Sequence, residues 1–542
     1  MKTASPRHRT LPALCAVFAL LVWLAASAAD TPRAISFTLQ NRDAATAGLK
    51  TRTEHLDPAR VGIVIIDMWN WHWCKTSSAR VGALVPRMNA SLEAARKLGM
   101  TVFWCPTDVA DNYTGTPARE KMLALDTLPL PLVHTLSCPT AKDGGGCTCG
   151  YERCRVNYGW DSMNPRLRIE PPDLMPNDPR ELYTVCKQRG ITHLVYMGVH
   201  SQVCVLGKSV GLKAMLQAGL NCYLARDLTD AHGKYDPKEG ITPDGFTRDV
   251  VAHFEQYLCS TVNFAEEMQR AGTWGATGPV DPVRMAPWGK VVRPHHFEQE
   301  LIVTLSAPWQ PKAEIHYTTD GSEPTPDSPL YKEPLRLAAT TLVKSAAFEQ
   351  RKLVALVSEG YFTRQPPLPA PPDVSIAELK PVRSAGPRGK VRSGQPTLSN
   401  LHEPQVNRSN RGSTLKIREQ AYTDGMGVHA PNQLMYAVKT EYNRFVALAG
   451  IDDQLLEVDN AADGANRPSV IFKVFIDGNL AAESPVMKIS EPPWRFNLKI
   501  PAGSRFINLV ATDAGDGNRE DVADWVNAGF LTHEPPNQSD LK

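Results

Sequence analysis

The chain has 542 residues, 42% of them hydrophobic and 21% charged. That length exceeds what one hydrophobic core holds and predicts about two to four domains. A formal net charge of +2 excludes a global basic field that would gather nucleic acid or anionic lipid.

Lys2, Arg7 and Arg9 form a basic leader, and Leu11 to Ala26 is an apolar run that ends in small residues at 26–29. This is the pattern of a secretory signal peptide, shorter than the ~20 residues a spanning helix needs. The expectation is cleavage before Asp30, a secreted or periplasmic protein, and no membrane span in the mature chain. Of the 11 cysteines, only Cys15 lies in the leader. Cys138, Cys147, Cys149 and Cys154 crowd into one glycine-rich insertion. In an exported chain this favours loop disulfides over zinc, since the spacing is not that of a common zinc module.

Residues 61–275 read as alternating strands and helices. Gly62-Ile-Val-Ile-Ile-Asp67 is a continuous apolar run, as in a strand buried on both faces. Val81, Leu84, Val85, Met88, Leu92, Ala95 and Leu98 recur at helical spacing up to Gly99. Strands are predicted at Thr101–Cys105, His193–Val199 and Asn221–Asp227, and helices at Glu181–Arg189 and Leu206–Ala218. Such units imply a parallel sheet with helices on both faces. Residues 276–363 switch to short alternating runs broken by turn chemistry such as Asp320-Gly321. Residues 365–400 are proline-rich, then basic, and read as a linker. Strand patterns return over 401–535. The expected organisation is therefore 1–29 signal peptide, 30–275 α/β domain, 276–364 β-sandwich, 365–400 linker and 401–542 second β-sandwich.

Asp67 ends the first predicted strand, and Cys204 follows a later one and opens a helix. Ligands of open parallel sheets bind at the carboxyl ends of the strands. A thiol at a helix N-terminus is expected to have a lowered pKa, and a carboxylate at the same edge could take its proton. The segment Gly198-Val-His-Ser-Gln-Val-Cys204, followed by Lys213 to Gly219 and Arg226 to Ala231, resembles the nucleophile region of isochorismatase-like cysteine hydrolases. Ile63 to Met68 resembles the first strand of that family. The resemblance implies Cys204 as nucleophile, Asp67 as general base and then acid, and the backbone amides of His200 and Cys204 as oxyanion hole beside a cis Val199–His200 peptide. The reaction implied is hydrolysis of a C–N (amide-type) or related bond in a small molecule, without a cofactor.

The segment Arg166–Asp173 matches the place of the family's lysine and carries none. Arg168 could supply the charge there, and Glu170 polarity. Trp69 and His72 are candidate pocket walls. No metal is expected, because Cys105–Tyr113 lacks histidine. The rival reading is a non-catalytic carbohydrate-binding or scaffold protein that keeps the hydrolase fold.

Further on, Tyr317-Thr-Thr-Asp320-Gly-Ser-Glu-Pro324 resembles the C-terminal β domain of chitobiase and β-hexosaminidase. Residues 407–531 resemble the NPCBM family of carbohydrate-binding-module-like domains, on Asn407–Gly412, Gly425–Pro431, Ala449–Asp453, Phe472–Gly478 and Thr512–Gly517. That resemblance implies a polysaccharide or cell-surface glycan as partner. His429, Asp513, Asp516, Asp524 and Trp525 could line a sugar site; equally, the Asp-Gly stretch could form turns and Trp525 the core. The family resemblance of the first domain leaves room for an oligomer.

Overall fold

The computed structural model describes residues 34–385, 403–455 and 468–534, apart from 107, 142–143, 145, 152–159, 291–292, 490 and 519. The expected signal peptide lies outside the described residues. The first domain is built on a seven-stranded sheet in the order β2-β1-β7-β6-β5-β3-β4. Its strands are β1 (Ile35–Arg42), β2 (Leu49–Leu56), β3 (Val61–Ile66), β4 (Thr101–Cys105), β5 (His193–Val199), β6 (Asn221–Asp230) and β7 (Thr261–Val262). The strands from β3 to β7 pair in parallel. β1 pairs antiparallel with both β2 and β7. The sheet is thus mixed, where an all-parallel one was expected. The edge hairpin β1–β2 was missed because β2 exposes nearly every residue and so has no alternation to read.

Alternate side chains serve the two faces. Ile63, Ile65, Val195 and Met197 meet Val81, Leu84, Val85, Met88 and Leu92 of the helix Lys75–Lys97. Val64, Ile66, Leu194 and Tyr196 meet Leu182 and Cys186 of the helix Pro179–Arg189 and Phe246, Val250 and Phe254 of the helix Pro243–Tyr257. Both faces are covered, which explains why these strands are uniformly apolar. Between β3 and β5 the backbones approach closely: Gly198 has φ +101, and a Cβ there would stand 2.0 Å from the Ile66 carbonyl oxygen. Gly198→Ala is therefore expected to cost about 2 kcal/mol or more in urea unfolding, since the clash is with backbone that cannot step aside.

The helix expected over 206–218 is broken. A π-helical turn spans Ser201–Val205, and a short helix begins at Leu212. The break is a turn in which Gly211 N donates to Lys208 O at 2.8 Å, and a Cβ on Gly211 would lie 2.8 Å from that same oxygen.

The middle module pairs Arg284–Ala286, Leu301–Ser306 and Leu335–Leu337 in one sheet, and His295–Phe297, Glu314–Thr318, Thr341–Glu349 and Lys352–Arg364 in another. The last module is a sandwich of two larger sheets around Phe445, Phe472, Phe496, Leu509 and Trp525. The expected linker is partly structural. Val374–Ser375 pairs with Val522–Leu531, and Arg383–Ala385 pairs with Asn432–Ala437. Once the proline run ends, Ile376 can bury completely and the chain joins the sandwich. No helix among the described residues is long and apolar enough to cross a membrane.

Candidate functional site

β3 and β5 are neighbours in parallel, with Ile66 opposite Gly198. The residues that follow them therefore emerge together at the carboxyl edge of the sheet. Asp67 stands there with φ 44, a conformation that disfavours most side chains and turns the carboxyl into the site. The Val199–His200 peptide is cis, as the resemblance implied. Ser201 fixes the following turn, its hydroxyl donating to Asp230 O at 3.0 Å and lying 2.8 Å from Thr229 Oγ1.

The structure places Cys204 and Asp67 near each other, close enough for the Asp67 charge to act on the thiol. Cys204 is 8% exposed. Its thiol is pushed up to about 12, first by burial and then by the Asp67 anion. This corrects the expectation of a lowered pKa: a single π-helical turn offers little macrodipole, and a neighbouring carboxylate raises a thiol. The resting pair is thus a thiol beside a carboxylate.

A cation that the sequence reading overlooked completes the group. Lys208 lies four residues after Cys204, and its Nζ sits 2.5 Å from both oxygens of Asp108. Burial works against its charge, but Asp108, Asp67 and Cys204 outweigh burial and raise its pKa. The i, i+4 spacing from Cys204 was the available signal. Arg168 and Glu170 do not take this place. Arg168 is exposed and lies 3.9 Å from Glu93 on the helix Lys75–Lys97, while Glu170 is exposed and its amide donates to Asp173. Arg168 thus sits on the outer surface of that helix.

Trp69 and His72 stack at 4.7 Å between ring centroids. His200 lies 4.8 Å from Trp69 and 5.3 Å from His72, and His232 lies 4.9 Å from His200. Burial lowers the pKa of His72 and takes His200 well below the usual range, so both are neutral at ordinary pH. Trp69 Nε1, His200 Nε2 and His232 Nε2 are buried without a hydrogen-bond partner among the described residues. Buried polar atoms of this kind suit polar atoms of a bound molecule. Trp160 and His232 belong to this box and were not foreseen, because they come from distant parts of the chain.

In the last module Trp525 is 1% exposed and packs on Phe472 and Phe496. Asp524 is fully buried, and its carboxyl is held well above the usual range by burial and by Asp452. His429 is buried beside the Ala430 carbonyl. Trp525 is thus part of the sandwich core, and Asp524 and His429 are buried as well. Asp513 forms a turn with Gly515, and Asp516 accepts from Ser469; both are at the surface.

The fold and the site define a class: an α/β domain with a cysteine–carboxylate pair at its strand ends, carrying two β modules. Comparison adds the following. Residues 393–531 match the NPCBM/NEW2 domain, and residues 303–361 match the domain described as Fn3 associated. A Renibacterium salmoninarum protein named "Putative endo-alpha-N-acetylgalactosaminidase" is 31% identical over 125 residues, 23% of this chain and 8% of that protein. The chain therefore spans less than a tenth of that relative. The carbohydrate-binding module CBM51 from Clostridium perfringens GH95, solved with methyl-galactose, is 23% identical, with 29% of this chain and 97% of that chain covered and a TM-score of 0.23. An isochorismatase family protein from Burkholderia thailandensis is 16% identical, with 40% of this chain and 96% of that chain covered and a TM-score of 0.23.

Proposed function

We propose that the protein is an exported cysteine hydrolase that cleaves an amide-type C–N bond, with β modules that hold it on a polysaccharide or cell-surface glycan. The observation that carries the catalytic half is the proximity of Cys204 and Asp67 at the strand ends, with Lys208 close enough to feel both. The match of residues 393–531 to the NPCBM/NEW2 domain supports the glycan half.

Asp67 takes the thiol proton as the Cys204 sulfur bonds to the acyl carbon. The developing oxyanion is met by the amides of His200 and Cys204. The C–N bond breaks as Asp67 returns the proton to the leaving nitrogen. Water, deprotonated by Asp67, then cleaves the thioester and restores the thiol. Lys208 balances the negative charge that Asp67 carries before it takes the proton and that the sulfur carries when it leaves as thiolate. The neutral box of Trp69, His72 and His200 orients the acyl group.

The test is an amide-substrate screen with the wild type, Cys204→Ala and Lys208→Met, combined with intact-mass detection of an acyl adduct on Cys204. Loss of turnover and adduct in Cys204→Ala is expected, with a lowered kcat in Lys208→Met at little change in KM. Full turnover in Cys204→Ala sinks the reading. The second reading, a non-catalytic glycan-binding scaffold, is favoured by the buried, protonated state of Cys204. It gains if the screen is silent while the full chain binds glycans on an array.

A further inference from the structure

Cys74 comes from the segment after β3, and Cys147 and Cys149 come from the glycine-rich insertion, yet the structure buries all three together. Their sulfur atoms lie within 4.8 Å of one another. Cys74 Sγ is 3.7 Å from Cys149 Sγ and 3.3 Å from Cys147 Sγ. A disulfide requires about 2.0 Å. Thiolates on one tetrahedral zinc, each at about 2.3 Å from the ion, stand about 3.8 Å apart. The trio has the spacing of ligands around an ion.

The surroundings favour thiolates. Thr76 N donates to Cys149 Sγ at 3.4 Å, Ser77 N to Cys74 Sγ at 3.5 Å and Cys149 N to Cys147 Sγ at 3.4 Å. Thr76 Oγ1 lies 3.0 Å from Cys149 Sγ. Cys74 is also the N-cap of the 23-residue helix Lys75–Lys97, so the positive end of a long macrodipole points at the cluster. Three backbone amides converging on three sulfurs are a built environment for negative sulfur, and no lone cysteine has one.

We propose that Cys74, Cys147 and Cys149 bind a thiophilic divalent cation, Zn²⁺, as a structural centre distinct from Cys204. This replaces the expectation of disulfides confined to the insertion, because Cys74 supplies one ligand from outside it. Cys154 lies outside the described residues. The position of the cluster gives the ion its role. Next to Cys149, Tyr151 donates to the His296 carbonyl of the middle module, stacks on His295 at 4.8 Å and lies under Arg418 of the last module at 4.5 Å. Lys75, next to Cys74, donates to Pro294 O at 2.6 Å and pairs with Glu491 at 3.2 Å. A cation at the three sulfurs would lock the insertion to the helix at the point where the three domains meet. It would also fix Trp73, which packs on His232 of the candidate site at 5.0 Å.

The test is metal analysis of the full chain purified under reducing conditions, followed by Co²⁺ replacement. About one zinc per chain is expected, with thiolate-to-cobalt charge-transfer bands in the near ultraviolet and the intense visible bands of a tetrahedral site. Zinc binding to the stripped protein should release protons from the thiols, and chelation should open the 139–151 insertion to limited proteolysis. Cys149→Ser should bleach the charge-transfer bands while Cys204→Ala leaves them intact, which separates this centre from the catalytic proposal. Absence of bound zinc and cobalt bands in the folded wild type, or a disulfide between any two of the three cysteines in non-reducing peptide maps of the protein as secreted, overturns the proposal.

Discussion

Asp67→Asn is expected to move the alkylation of Cys204 by iodoacetamide to lower pH while cutting hydrolytic turnover by about 10²–10⁴-fold. The two effects have opposite signs and one cause. In the wild type, burial and the Asp67 anion both disfavour thiolate and push Cys204 up to about 12. Removing the anion leaves burial alone, so the thiol ionises more readily and a simple alkylating agent reacts faster. Turnover in the proposed reaction needs more than thiolate. It needs a base that takes the proton as the sulfur attacks and an acid that returns it to the leaving nitrogen, and asparagine does neither. A group whose folded pKa is raised lends stability below its unfolded value and loses it as pH rises towards the folded one. Stability should therefore decline from about pH 8.5 upward, and less so in Asp67→Asn. The readouts are alkylation rate against pH by peptide mass spectrometry and turnover of the best amide substrate. An unchanged alkylation profile in Asp67→Asn would mean that burial alone sets the thiol and that the pair is not coupled.

The parts of this site legible in the sequence were those fixed by strand ends. A continuous apolar run places Asp67 after β3, and a second places Cys204 after β5, so their meeting follows from parallel pairing. What the sequence hid was set by distant segments. His232, Trp160 and Asp108 reach the site from loops whose paths no periodicity encodes. Arg168 looked like a substitute cation because it occupies the right stretch of chain, but the helix Lys75–Lys97 holds it on the surface through Asn89, Glu93 and Arg96. Lys208 was visible four residues after Cys204 and was passed over because the cation was sought in the segment Arg166–Asp173. In the last module the Asp-Trp pair at 524–525 resembled a sugar site, since carboxylates and tryptophan serve both surfaces and cores. Only the register, which sets Trp525 against Phe472 and Phe496, decides between them. Cys74 shows the same limit: four clustered thiols drew attention to the insertion, and the partner from outside it became visible only in the fold.

Arg80→Met is expected to destabilise the first domain by about 3–5 kcal/mol, the cost of leaving buried carboxylates without their cation. Arg80 is nearly inaccessible. Its Nε donates to Asp230 Oδ2 at 2.9 Å, and its Nη2 donates to Asp230 Oδ1 at 2.5 Å and to Asp244 Oδ1 at 2.7 Å. Asp230 ends β6, and Asp244 opens the helix Pro243–Tyr257, where its charge also suits the helix N-terminus. Arg284 of the middle module reaches the same Asp244 oxygen at 3.0 Å, so the network joins two domains as well as two elements. Burial alone would raise the Asp244 pKa, but Arg80, Arg284 and Ser306 outweigh it and hold the carboxyl well below the usual range. A depressed carboxylate contributes stability that is full above its unfolded pKa of about 3.9 and is lost as pH falls towards the folded value. Urea unfolding of the full chain, followed by a probe in the first domain, should show the wild type losing stability in acid and Arg80→Met starting lower with a flatter acid limb. The double variant Arg80→Met/Asp244→Asn should recover part of the loss, because it removes one of the stranded charges. A loss under 1 kcal/mol in Arg80→Met would show that water reaches these carboxylates and that the network does not bind the two domains together.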